Sequence, residues 1–428
     1  MTKGPGFETL ALHAGQAPDP TTGARALPIH QSTSFVFDSA DHAAALFNLQ
    51  AVGFIYSRLT NPTVSALEER CAALEGGKGA TATASGHAAQ ILGLFPLMSP
   101  GMEIVASKKL YGGSINQMSH AYKKFGWNVK FADPDDPKSF QDAITDKTRA
   151  VFVECLANPG GVVVDLEAIA AIAHKAGVPL MVDNTLASPY LCRPFEWGAD
   201  MVVHSTTKYM SGHGASLGGV VIDSGNFDWT ASDKFPSLSK PAPEYHGLVF
   251  AETFGDMAYT IYNHAIGLRD LGPTQQPMNA FLTMLGLETL ALRMQRHCDN
   301  AQAVAEFLEA HPAVAWVSYA GLKSSKYHAL GKKYLPKGAG GVFTFGLKGG
   351  YDEGVKLVDS VELFSHLANV GDSRSLIIHP ASTTHNQLSP EGKVAAGAGP
   401  DVIRLSIGLE SVDDIIADLD QALAAAVG

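Results

Sequence analysis

Apolar and polar positions change their period twice along the chain. Residues 1–62 show little regular repeat and carry several prolines, which predicts an irregular arm with a few short elements. In TVSALEERCAALEG (63–76) the apolar side chains fall at Val64, Leu67, Cys71 and Leu74, a helical spacing stopped by Gly76 and Gly77. Short apolar runs then alternate with helix-like stretches. MEIVAS (102–107), WNVKFAD (127–133), RAVFVEC (149–155), VPLMVDNT (178–185), ADMVVHS (199–205) and GGVVIDS (218–224) each predict a strand, and LEAIAAIAHKAG (166–177) predicts a helix. Such alternation implies an α/β fold with a large, doubly wound, mostly parallel sheet and helices on both faces. Residues 225–280 are loop-rich, and residues 279–311 have the pattern of one long helix. AVAWVSY, GGVFTFGLKG and DVIRLSIG follow as three strand-like runs, which predicts a smaller C-terminal α+β domain. The chain therefore divides into an arm (1–62), a sheet domain (63–275) and a C-terminal domain (276–428).

Composition narrows the class. Of 428 residues, 46% are hydrophobic and 17% charged, the profile of an ordinary globular protein. A net charge of −11 speaks against a nucleic-acid surface, which needs clustered positive charge. No apolar run approaches a membrane span, and the first residues lack a long apolar signal core. Cys71, Cys155, Cys192 and Cys298 lie far apart, which points to free thiols in a reducing cytoplasm. Neither dense Cys/His spacing nor H-E-x-x-H is present, so no metal site is expected.

Two glycine-rich stretches mislead. GHGASLGG (212–219) has the wrong spacing for G-x-G-x-x-G and precedes a strand instead of opening a helix. EGGKGA (75–80) lacks the first glycine of a P-loop and has no Ser/Thr after Lys78. VVHSTTKYMSGHG (202–214) is more informative. In parallel sheets, chemistry gathers at the carboxyl ends of strands, and here one ends in Ser205, Thr207 and Lys208 while another ends in Asp183. Taken alone, Lys208 reads as a surface lysine just past a strand. Taken together, these residues meet the needs of pyridoxal 5′-phosphate: an amine for its aldehyde, a carboxylate for its pyridine nitrogen and hydroxyls for its phosphate. ASGHAAQIL (84–92) adds a Ser-Gly turn opening a helix, where free N–H groups attract a phosphate. Tyr111 in KKLYGGS is a candidate to stack on the ring.

DNT…HSTTKYMSGH resembles the pyridoxal-phosphate enzymes of cysteine and methionine metabolism, with YSRLTNPT (56–63), ASGHAA (84–89), LYGG (110–113), NP (158–159), SLIIHPASTTH (375–385) and IRLSIGLE (403–410) in the same order. The resemblance implies the fold-type I architecture. By it, Lys208 matches the Schiff-base lysine and proton shuttle, and Asp183 the pyridinium partner. Gly86 and the His87 N–H, with Ser205 and Thr207, match the phosphate cup, and Tyr111 matches the stacking tyrosine and proton carrier. Tyr56 and Arg58 match a pair that reaches the phosphate from a neighbouring subunit. Asn158, Ser375 and Arg404 match groups near the cofactor oxygen and the substrate carboxylate.

PEYHGLVF (243–250), GLRDLGP (267–273) and GDSRSLIIHPASTTH (371–385) resemble the branch that exchanges the ester of O-acetylhomoserine for sulfide in methionine biosynthesis. That branch implies an amino-acid substrate, sulfide, a cytoplasmic setting and a homotetramer built as a dimer of dimers. Alternatives within the family are a methionine or homocysteine γ-lyase and a synthase using O-succinylhomoserine. The γ-lyases carry cysteine where this chain has Gly113. Cystathionine-handling members often carry Glu where this chain has Arg374, whose charge is expected to repel a distal ammonium. His379 and His385 lie in the same block without an evident role.

Overall fold

The first long helix, Pro62–Glu75, shows how local chemistry sets the frame. Asn61 accepts hydrogen bonds from the Thr63 and Val64 N–H groups, Pro62 fits the first turn, and Gly76 leaves the helix at φ 80°. The description rests on a computed structural model and covers residues 4–158, 161–387, 389–395 and 397–427. Pro159, of the Asn-Pro pair, lies outside the described residues.

The large sheet holds seven strands: β1 (Gly79–Thr83), β2 (Glu103–Ser107), β3 (Asn128–Ala132), β4 (Thr148–Glu154), β7 (Leu180–Asp183), β8 (Met201–His204) and β9 (Gly219–Asp223). The two remaining short strands, β5 (Leu156–Ala157) and β6 (Val162–Val163), pair with each other. The spatial order is β1-β9-β8-β7-β4-β2-β3. Among the described strands of this sheet, β9 alone runs opposite to the other six. Side chains alternate between two buried faces. Val151, Val153, Val182 and Val202 join one core, while Ala150, Phe152, Met181, Met201 and Val203 join the other. Helices Pro62–Glu75 and Leu166–Lys175 cover the first face and Gly86–Leu94 the second.

A second sheet, ordered β10-β11-β14-β13-β12, follows from β10 (Val314–Ser318), β11 (Val342–Leu347), β12 (Ser365–His366), β13 (Leu376–Ile378) and β14 (Val402–Ser406). Five of the described strands escape the apolar pattern. β1 is GATAT, whose small residues carry no alternation, and β5, β6, β12 and β13 are too short to show one. The predicted long helix is two, Pro277–Glu288 and Leu290–Ala310, because Thr289 leaves helical geometry at φ −110°, ψ 9°. Helices Phe7–His13 and Ala40–Phe47 lie in the arm, where Val36 and Val52 are fully exposed. Among the described residues no helix is long and apolar enough to cross a membrane. All four cysteines are buried and free.

Candidate active site

A cavity of about 230 Å³ opens beyond the carboxyl ends of β4, β7 and β8 and is closed on its far side by Asn369 and by Arg404 of β14. Of the residues singled out from sequence, Gly86, His87, Tyr111, Asn158, Asp183, Ser205, Thr207, Lys208 and Arg404 all line it. Residues from both sheets thus line one cavity.

Lys208 stands on the turn that ends β8. Its Nζ donates a 2.6 Å hydrogen bond to Asn369 Oδ1. Burial, and then the charge of Arg404, push the Lys208 ammonium below its usual range. The Arg404 guanidinium reaches Asn158 Oδ1 at 3.4 Å and the Asn369 carbonyl at 3.3 Å. Burial pushes its pKa down to about 10, and among the described residues it has no carboxylate partner. An arginine held this way can grip a carboxylate through two parallel hydrogen bonds.

Asp183 ends β7. Its Oδ1 accepts from the Thr185 N–H at 3.0 Å and the Thr185 hydroxyl at 2.5 Å, and its Oδ2 accepts from Gln90 Nε2 at 3.2 Å. In the adjacent strand Glu154 pairs with Asp183 in register. Glu154 is buried, and its two oxygens accept from the backbone N–H groups of Tyr111 (2.5 Å) and Asn158 (3.1 Å). Burial and the nearby Asp183 push the Glu154 carboxyl well above the usual range.

The start of helix Gly86–Leu94 faces the same space. The Ser85 hydroxyl caps the Ala88 N–H, which leaves the Gly86 and His87 N–H groups without an intrahelical partner. A Cβ at Gly86 would come within 2.7 Å of Ser205 Cβ, so only glycine lets the helix start approach β8 this closely. The Thr207 hydroxyl exchanges hydrogen bonds with Gly218, donating to its carbonyl (3.2 Å) and accepting from its N–H (3.1 Å). Tyr111 begins the helix Gly112–Asn116, with its ring 5.8 Å from the His87 ring at a 34° tilt. Burial lowers the pKa of His87, and its Nε2 is buried without a partner.

These groups fit pyridoxal phosphate. An unacylated amine, a carboxylate at a strand end, two N–H groups at a helix start and an aromatic face all border one cavity.

Three residues lie elsewhere. Ser375 does not line the cavity: its hydroxyl donates to Glu410 Oε2 at 2.9 Å and accepts from the Gly408 N–H at 2.9 Å. On the cavity wall, Asn369 lies beside Arg404 and Lys208. Tyr56 and Arg58 also lie outside their own chain's cavity, with the guanidinium stacked over the tyrosine ring at 5.2 Å. The expected repulsion by Arg374 loses its geometric basis. Its side chain is 70% exposed and bonded to Asp372 Oδ1 at 3.1 Å, off the cavity wall. His379 is structural: its ring bonds Ser382 Oγ at 3.0 Å and the Pro400 carbonyl at 2.8 Å. His385 Nε2 lies 3.6 Å from where a Cβ on Gly112 would sit, beside the tyrosine turn.

Gln90, Glu154, Thr185 and Asn369 were not singled out from sequence. Glu154 carried a signal, since it ends a predicted strand as Asp183 does. Asn369 carried none, because it follows a two-residue strand in an irregular stretch.

Comparison with known proteins agrees with this geometry. The chain is similar to the O-acetyl-L-homoserine sulfhydrylase of Leptospira meyeri, 50% identical over 97% of this chain and 96% of the relative. It is similar to O-acetyl-L-homoserine sulfhydrylase 1 of Thermus thermophilus, 50% identical over 98% of this chain and all of the relative. The homocysteine/cysteine synthase of Saccharomyces cerevisiae is 46% identical over 97% of each chain. Among solved structures, a Campylobacter jejuni protein provisionally named an O-acetylhomoserine (thiol)-lyase superposes with a TM-score of 0.94 at 44% identity, covering 98% of this chain and 99% of that one. It contains N′-pyridoxyl-lysine-5′-monophosphate. Residues 8–424 match the family described as Cys/Met metabolism PLP-dependent enzyme, and the chain belongs to that family.

Proposed function

We propose that this protein converts O-acetylhomoserine and sulfide to homocysteine and acetate, with pyridoxal phosphate as cofactor. The observation that carries the reading is the convergence, in one cavity, of a buried lysine amine, a strand-end carboxylate and an arginine without a carboxylate partner. The choice of reagents is supported by relatives about half identical over nearly their whole length.

When bound, the cofactor supplies an aldehyde carbon for the amino group and a ring that accepts the electrons of the broken Cα–H bond. The Gly86 and His87 N–H groups, with Ser205 and Thr207, would hold its phosphate, Asp183 would partner its ring nitrogen and Tyr111 would cover its ring. Arg404 takes the substrate carboxylate, with Asn158 and Asn369 beside it. Lys208 moves the proton at Cα. Its depressed pKa leaves more of the amine neutral near pH 7, as a base requires. Tyr111, next to Arg404, would move the proton at the β-carbon, between Cα and the ester-bearing γ-carbon. Acetate leaves the γ-carbon and hydrosulfide adds there.

Self-association as a dimer of dimers accompanies this reading. Its support is that Tyr56 and Arg58 sit outside their own cavity and that the arm exposes Val36, Val52 and Phe47. A cytoplasmic setting fits the free thiols.

The test is a product assay by mass spectrometry. Protein loaded with pyridoxal phosphate receives O-acetylhomoserine with sulfide, O-acetylhomoserine with cysteine, or O-succinylhomoserine with sulfide. Homocysteine from the first mixture at the highest rate is the expected result. Faster turnover of the succinyl ester, or 2-oxobutyrate formed without added thiol, would replace the reading by a succinyl-dependent synthase or a γ-lyase.

A further inference from the structure

Asp183 does not stand alone at the end of β7. Gln90 is buried on helix Gly86–Leu94, and its Nε2 donates to Asp183 Oδ2 at 3.2 Å and to Ser114 Oγ at 3.0 Å. The amide turns its donor end to the carboxylate, whose oxygens serve as acceptors. Among the described residues the Gln90 Oε1 is buried without a partner, so the side chain is held by its donor end. Gly86 and Gln90 are four residues apart and share one helix face, about 6 Å apart along the axis. One helix therefore offers N–H groups at its start and, one turn later, a donor to the carboxylate that faces the cavity from the sheet.

We propose that Gln90 is a positioning residue, whose amide holds the Asp183 carboxylate ionised and aimed at the pyridine nitrogen and so keeps that nitrogen protonated. This rests on the reading of Asp183 as partner of the ring nitrogen. A hydrogen bond donated to a carboxylate stabilises its charged form. It therefore favours an ion pair, with the proton on the ring nitrogen, over a neutral pair with the proton on the carboxyl. A protonated ring is the better electron acceptor. Thr185 acts in the same direction on Oδ1.

The experiment is 15N NMR of holoenzyme loaded with ring-15N pyridoxal phosphate, with steady-state kinetics on the same samples. Gln90→Met keeps the volume and removes the donor. The ring-nitrogen signal should move toward its unprotonated position, and kcat should fall about tenfold with KM changed less than about twofold, as loss of a hydrogen bond to a charged group predicts. Ser114→Ala removes the second acceptor of the same amide and should leave the signal in place. Gln90→Ala gives the same readout if the methionine variant does not fold. A wild-type signal in both Gln90 variants, whatever their kcat, overturns the proposal. Asp183→Ala separates the two readings. If it moves the signal and the Gln90 variants do not, the role of Gln90 alone is wrong; if it leaves the signal unmoved, the reading of Asp183 is wrong as well.

Discussion

Lys208 Nζ is bonded to Asn369 Oδ1 at 2.6 Å, which ties the amine at the end of the large sheet to a loop of the C-terminal domain. The two residues are 161 positions apart. The bond fixes where the amine sits without neutralising it, since an amide oxygen carries no charge. Lys208→Ala is expected to abolish turnover and Asn369→Ala to lower kcat about tenfold. Mass spectrometry after borohydride treatment checks the distinction. The cofactor should be fixed covalently to Asn369→Ala and not to Lys208→Ala. Near-normal turnover by Lys208→Ala would remove the mechanism.

Arg404 and Ser375 separate binding from folding. Arg404→Lys keeps the charge but loses the planar fork, so KM for the amino acid should rise about tenfold to a hundredfold with a smaller change in kcat. Ser375→Ala should leave KM within about twofold. It strips a buried hydrogen-bond pair from Glu410 and Gly408, and should cost about 1–3 kcal/mol in denaturant unfolding. A large KM effect at Ser375 would return it to the substrate site.

Gly113 is a packing requirement. A Cβ there would stand 2.4 Å from Tyr111 Cε1 and 3.0 Å from His87 Cε1. Gly113→Cys should therefore displace the tyrosine ring. The expected signature is a changed absorption spectrum of the bound cofactor and a fall in kcat, with no gain of γ-lyase activity.

Asp223, at the end of β9, governs a pH effect away from the cavity. Burial pushes its pKa up to about 7 from 3.8, and its Oδ2 is buried without a partner, as suits a protonated carboxyl. A folded-state pKa raised above the unfolded value stabilises the protein fully below about pH 4. That contribution is lost as pH rises toward 7. Asp223→Asn should lack this slope. Relative to wild type it should gain up to about 4 kcal/mol between pH 4 and pH 8, read as denaturant midpoints at both values. Parallel slopes in the two proteins would show that Asp223 is ionised throughout.

Much of the site was legible because the chemistry sits at strand ends. Asp183, Ser205 and Lys208 follow apolar runs that announce their strands, and Gly86 and His87 follow a recognisable helix start. The same rule reached Glu154 without marking it, since a strand-end carboxylate has no partner until its neighbours are known. A motif gives order along the chain and not the direction of a side chain: the Ser375 hydroxyl turns to Glu410, 35 residues away. β1, β5, β6, β12 and β13 stayed hidden because small or very short segments carry no period to read.

The sequence by itself determined the alternation that builds the doubly covered sheet, the caps of its first helix and the amine and carboxylate at its strand ends, because these follow from local period and local hydrogen bonding. Only the tertiary structure decided what those groups touch. The bond from Gln90 to Asp183 spans 93 positions, that from Arg404 to Asn158 spans 246, and that from Lys208 to Asn369 spans 161. Contacts of that separation depend on how helices and sheets pack, and no local pattern encodes which side chains then meet.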